Sequence, residues 1–117
     1  MARGPNLHDR NLVNYSTNED GYFDDTVLCP NCKGGYLHQG AVFVYERASE
    51  DAKDITRISI SENGTCVSTE KIPDKDSGNP SARRNGIKIQ FWCEGCGDLN
   101  QMLCIYQHKG ATFIEWN

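Results

Sequence analysis

Beyond residue 27 the chain is a succession of short apolar or alternating runs separated by turn residues, the pattern of strands rather than helices. Residues 41–45, Ala-Val-Phe-Val-Tyr, form a short β-branched and aromatic run, which predicts a buried strand. Residues 55–61 alternate, with Ile58 and Ile60 on one face and Arg57, Ser59 and Ser61 on the other. Asn63-Gly64 follows, the pair best suited to the positive φ angles of a type I′ turn, so residues 65–71 are expected to return as the partner strand. Residues 49–54 are polar and read as a loop or a single helical turn.

Three further strands are predicted at residues 87–92, 101–107 and 111–116, the last two joined by His108-Lys109-Gly110. Between the third strand and the fourth, residues 79–86 carry helix punctuation. Asn79 suits an N-cap, Pro80 the first helical position and Gly86 the left-handed residue after the end. The expected architecture is mainly β: an antiparallel sheet of about six short strands with very little helix.

Residues 1–26 differ from the rest. Acidic residues outnumber basic ones five to two there, and neither helical nor strand periodicity is visible. The expectation is an acidic, flexible arm ahead of a domain spanning residues 27–117, with Tyr22 and Phe23 the part that docks. The whole chain, at 117 residues, suits one domain, and a domain of that size gains much from a cross-link. No apolar run approaches the roughly 20 residues of a membrane span, and no membrane contact is expected. Met1-Ala2-Arg3-Gly4-Pro5-Asn6 is not followed by an apolar stretch, so no signal peptide is expected and the compartment is read as cytoplasmic.

That compartment gives the six cysteines their meaning, because reduced cysteines in pairs more often hold metal than form disulfides. Cys29-Pro30-Asn31-Cys32 and Cys93-Glu94-Gly95-Cys96 are two Cys-x-x-Cys units. In each, a tight turn aims both sulfurs at one point, and Gly34 and Gly97 are expected to supply its unusual backbone angles. Two units offer four thiolates, the closed tetrahedral shell of a structural zinc site. A redox motif would open a helix in a βαβ unit, whereas these units border strands. Iron in a rubredoxin-like site is the less favoured alternative, since both metals accept four thiolates. Cys66 and Cys104 fall in predicted strands and read as small core residues.

The two units resemble the knuckles of the zinc-ribbon group, in residues 29–34 and 93–97. The resemblance implies Cys29, Cys32, Cys93 and Cys96 as ligands of one zinc ion per chain. In one respect the chain departs from the group: knuckles there stand about 15 to 20 residues apart, whereas 60 residues separate these. Either the intervening stretch is a large β insert, or the metal staples the ends of a larger sheet.

Charge then limits what the domain acts on. A net charge of −4 disfavours a general nucleic-acid binder, and four thiolates with one divalent ion take it to about −6. Arg83, Arg84 and Lys88 are the basic cluster of the domain and the candidate interaction site, by guanidinium forks to phosphate or carboxylate. The blander role for those arginines is pairing with Asp74, Asp76 or the arm. Trp92, beside Cys93, is expected to pack against the metal site. Glu94, His38 and His108 read as turn or surface residues, and no acid, base and nucleophile assemble into a catalytic set. The expected function is therefore binding rather than catalysis: a protein partner gripped by a sheet edge, the Arg83-Arg84 loop or the arm. The alternatives are a nucleic-acid contact through that loop and an iron electron carrier.

Overall fold

The structure, a computed structural model, describes residues 26–117 and the backbone of Val13–Asn14. Each predicted strand is present, and the sheet they form is antiparallel throughout. Its elements are β3 (Leu37–Glu46), β4 (Asp54–Ile60), β5 (Val67–Pro73), β6 (Gly86–Cys93), β7 (Gly97–Asp98), β8 (Leu103–His108) and β9 (Ala111–Trp116). The order across the sheet is β5-β4-β3-β6-β8-β9, with β7 paired to the end of β6. The sheet does not close into a barrel, so β5 and β9 are its edges. A small second sheet pairs β1 (Val13–Asn14) with β2 (Thr26–Val27). The expectations for residues 1–26, including Tyr22 and Phe23, otherwise lie outside the described residues.

Register assigns the two faces. Val44 stands opposite Ile58 and Ile87, and Ile87 opposite Ile105, which in turn faces Ile114. This row of β-branched side chains makes one face apolar across the sheet, as pleating requires of residues in direct register. Toward the end of β6 that bears Cys93, Val27, Ile89, Phe91, Ile114 and Trp116 pack around the buried Leu103. The other face holds the buried side chains Tyr45, Ile55, Cys104 and Tyr106. It is covered by the crossover from β5 to β6, where Ser77 and Ser81 are themselves buried. Full burial of a side chain such as Ile55 contributes about 1.5–3 kcal/mol.

The helix expected at residues 79–86 is absent. One helical turn forms just before it, as α1 (Asp74–Ser77), and ends on Gly78 in the left-handed conformation (φ 81°). Tertiary contacts place that turn. The Asp74 N–H donates to Lys53 O (2.8 Å), and the Asp74 carboxylate pairs with the buried Arg47, which also donates to Ala52 O (2.8 Å). Asn79 caps a loop instead of a helix: its Oδ1 accepts the Ser81 N–H (3.0 Å) and its Nδ2 donates to Arg84 O (2.9 Å). Ser81 Oγ accepts the Arg84 N–H and donates to Gln107 O (2.7 Å), fastening the loop to β8. Gly86 begins β6 and is not left-handed.

The type I′ turn expected at Asn63-Gly64 is also absent. At Asn63-Gly64 only the glycine has positive φ (72°), and the loop is closed by Gly64 N–H to Ser61 O (2.9 Å) rather than by a type I′ pair. Asn63 Oδ1 accepts from the Thr65 N–H (3.1 Å), a side-chain turn that holds the asparagine out of the left-handed region. The two-residue loop with both φ positive is Lys109-Gly110 (50° and 80°), between the paired His108 and Ala111. Cys66 lies just ahead of β5 and is exposed, so it is not a core residue. Cys104 is fully buried, as its alternation with Tyr106 requires. Residues 49–54 contain one hydrogen-bonded turn, Ala52 N–H to Ser49 O (3.1 Å).

Candidate metal centre

The two knuckles meet because β3 and β6 are neighbours. The first precedes β3, the second joins β6 to β7, and Leu37 stands in register with Cys93. The Glu94 N–H donates to Tyr36 O (3.1 Å), tying one knuckle to the other. Within the first knuckle, the Cys29 N–H donates to Gly34 O (2.8 Å) and the Lys33 N–H to Cys29 O (3.0 Å). The chain between the cysteines folds back so that the Asn31 N–H donates to Cys29 Sγ and the Gly34 N–H to Cys32 Sγ, each at 3.4 Å. Such N–H groups stabilise sulfur as thiolate.

The left-handed residue of each knuckle follows its second cysteine directly. In the second knuckle it is Gly97 (φ 80°), as expected, but in the first it is Lys33 (φ 64°) and not Gly34. Gly34 serves another need: a Cβ there would stand 3.3 Å from Cys32 Sγ.

All four Sγ atoms of Cys29, Cys32, Cys93 and Cys96 lie within 4.8 Å of one another. Cys32 and Cys93 are 3.6 Å apart across the knuckles, and Cys29 and Cys96 are 4.0 Å apart. A tetrahedron with metal–sulfur bonds of about 2.3 Å has sulfur–sulfur edges of about 3.8 Å, so the spacing fits one ion. Cys29 and Cys93 are buried while Cys32 and Cys96 are exposed, and all six cysteines are free of disulfides. The sheet therefore carries a four-cysteine site able to hold a metal at the ends of two adjacent strands. Of the two arrangements the sequence left open, β3 and β6 belong to one sheet and the centre joins their ends.

The thiols titrate apart. Burial opposes ionisation of Cys29, but N–H groups of Cys32 and Asn31 and the neighbouring thiols outweigh it, lowering Cys29 from 9.0 to about 7. Cys96 is pushed up to about 12 by its hydrogen bond with Cys32, by desolvation and by its contacts with Cys29 and Cys93. A first thiolate is thus favoured at Cys29, and further ionisation is resisted by the charge already present.

The basic candidates do not gather into one site. Arg83 and Arg84 line a depression of about 360 Å³ with Gln107, His108 and Lys109, and among the described residues Arg84 is paired with Glu50 rather than with Asp74 or Asp76; the expected pairing with the arm lies outside the described residues. Lys88 is not part of that depression; it stands in β6 opposite Cys104. The depression lies toward the Gly86 end of β6, and Cys93 is at the other end, roughly 23 Å away at about 3.3 Å per residue.

Trp92 is not packed on the metal site. It points to the face opposite Cys93, where it stacks flat on His38 (centroids 4.0 Å, 8° between planes) and stays 36% exposed. The apolar floor on Cys93's own face comes from Phe91, which meets Trp116 edge-on at 5.6 Å. His38 Nε2 lies 3.3 Å from Glu94 Oε1, and Asp98 stands in register with Trp92. The sequence reads His38 and Glu94 as separate surface or turn residues and Trp92 as packed on the metal site, and it does not single out Asp98, since only the β3–β6–β7 register brings positions 38, 92 and 98 into one row.

Comparison of the chain with protein families, with curated proteins and with solved structures finds no match. Among the described residues no helix is long and apolar enough to cross a membrane.

Proposed function

We propose that the chain is a non-catalytic, zinc-stapled β domain that binds a protein partner at the end of the sheet where the knuckles meet. The observation that carries this reading is the exposure of Tyr36 (75%) and Trp92 (36%) at the end of the sheet that bears the four cysteines. Aromatic side chains are costly to leave in water and are enriched where proteins meet. The metal supplies rigidity: its four ligands fix the two knuckles, one just before Tyr36 and the other just after Trp92. A closed shell of four cysteines is the structural form of a zinc site and leaves no open position for chemistry.

Two other readings are weaker. A nucleic-acid contact shared by the Arg83-Arg84 loop and the knuckles requires one ligand to span opposite ends of β6, against a net charge of about −6 with metal bound. A rubredoxin-like iron carrier shares the four ligands but makes no use of the exposed rings. Elemental analysis and visible absorbance test the metal: zinc in a colourless protein is expected, and red absorbance overturns it. Affinity capture from the native host tests the partner. A protein retained by the wild type and lost by Tyr36→Ala is expected. Nucleic acid retained in a salt-sensitive way and lost with Arg83→Ala/Arg84→Ala overturns the reading.

A further inference from the structure

We infer that the surface formed by Tyr36, His38, Trp92, Glu94 and Asp98 receives an arginine side chain from a basic segment of the partner. The inference rests on the protein-binding reading and names the chemistry of what is bound. Trp92 and Tyr36 offer aromatic rings to solvent, and the faces of such rings attract cations. Around them the charge is negative. Glu94 and Asp98 are exposed, and the four thiolates next to them are only half neutralised by a divalent ion. Lys33, the base within the first knuckle, turns its ammonium back onto Pro30 O (3.3 Å).

The chain itself displays the mode of recognition. His38 lies flat on Trp92 while its Nε2 meets the Glu94 carboxylate, so a planar nitrogen-bearing group is already held by ring and carboxylate together. A guanidinium has the same flatness and a fork of donors for carboxylates. The exposed remainder of Trp92, the ring of Tyr36 and Asp98 extend this arrangement outward. A lysine would gain the charge but not the stacking.

The test uses the metal-loaded full chain and an arginine-glycine repeat peptide, with its citrulline counterpart as the uncharged control. Binding is followed by the Trp92 indole resonance and by fluorescence polarisation of the labelled peptide. The arginine peptide should shift the Trp92 signal. Tyr36→Ala and Asp98→Asn should each weaken it by about threefold to tenfold, and citrulline by at least as much. Both positions are exposed, so unchanged metal content in these variants confirms that the fold is intact. Equal binding of the citrulline peptide, or unchanged affinity in both variants, overturns the inference. Tighter, competitive binding of a single-stranded oligonucleotide at the same residues overturns it too. Failure of the peptide alongside Tyr36-dependent capture of a host protein removes the arginine and leaves the protein-binding reading. Failure of both removes both.

Discussion

The Sγ atoms of Cys29 and Cys96 stand 4.0 Å apart although the residues are 67 positions apart in the chain. One ion bound there closes nearly the whole domain into a loop, and structural zinc binding is worth about 10–16 kcal/mol in small peptides, comparable with the stability of a domain. Cys29→Ser and Cys96→Ser are therefore expected to lose the metal and to unfold the chain at ordinary temperature. Cys29→Ser should be the more severe, because Cys29 is fully buried and Cys96 exposed. Metal content and thermal unfolding check this. A variant that kept both its metal and its melting temperature would remove the stapling role.

Metal affinity should depend on pH with a slope that changes near pH 7. The ion binds thiolates, so every thiol still protonated must release its proton. Cys96, at about 12, releases one across the accessible range, whereas Cys29, at about 7, does so only below that pH. Affinity must fall with acidification, and more steeply, by one further proton, once pH drops through about 7. Competition with a metal-binding dye on either side of pH 7 measures the slope. A constant slope would contradict the depressed Cys29.

Equivalent positions in the two knuckles should respond oppositely to exchange. Lys33 adopts φ 64° and Gly97 φ 80°, both in the left-handed region that costs a side-chain-bearing residue about 1–2 kcal/mol. Lys33→Gly is expected to leave stability unchanged or raise it by up to about 1 kcal/mol, after the entropy glycine adds to the unfolded chain. Gly97→Ala should lower it by about 1 kcal/mol. Denaturant melts of the metal-loaded variants decide the matter; destabilisation by both would show that Lys33 contributes through its side chain.

The six strands were legible because each carries its own period: Ile58 and Ile60 declare a face without help from the rest of the molecule. The ligand set was legible for the same reason, since two Cys-x-x-Cys units need no tertiary knowledge. What was not legible depends on partners distant in sequence. The helical turn sits at Asp74 because Arg47 and Lys53 hold it there, and Asn79 caps a loop because Ser81 reaches Gln107 in β8. The pair of positive φ angles expected at Asn63-Gly64 is found at Lys109-Gly110 instead, because loop length and the strand ends outweigh the local preference of a dipeptide. The row of His38, Trp92 and Asp98 exists only through strand order, which no single segment encodes.

Thiol reactivity should separate the two cysteines outside the centre. Cys66 is exposed beside a turn, while Cys104 is fully buried and burial pushes its thiol up, partly offset by Lys88 opposite. The thiolate is the reactive form, so Cys104 is protected twice. In the native, metal-loaded protein an alkylating reagent is expected to modify Cys66 fast and Cys104 only after unfolding. Peptide mapping after a short exposure reads the sites. Rapid labelling of Cys104 would mean that the face beneath the crossover opens readily.

Gly86 is where that crossover depends on a missing side chain. A Cβ there would come within 2.6 Å of Asn79 Oδ1 and 2.7 Å of Pro80 Cγ, contacts too short to survive without movement. Neither neighbour is free to move. Asn79 is committed to Ser81 and Arg84, and the proline ring is rigid. Gly86→Ala is therefore expected to destabilise the domain by about 1–3 kcal/mol, the usual cost of overpacking. Gly40→Ala is the matched control: its Cβ would approach Gln90 Cβ no closer than 3.4 Å. There the lower entropy of the unfolded chain should leave stability unchanged or raise it by about 0.4–1 kcal/mol. Denaturant unfolding of both variants reads the difference. Equal effects would mean that the loop of Asn79 and Pro80 gives way at little cost, and with it the account of how the crossover seals Tyr45 and Tyr106.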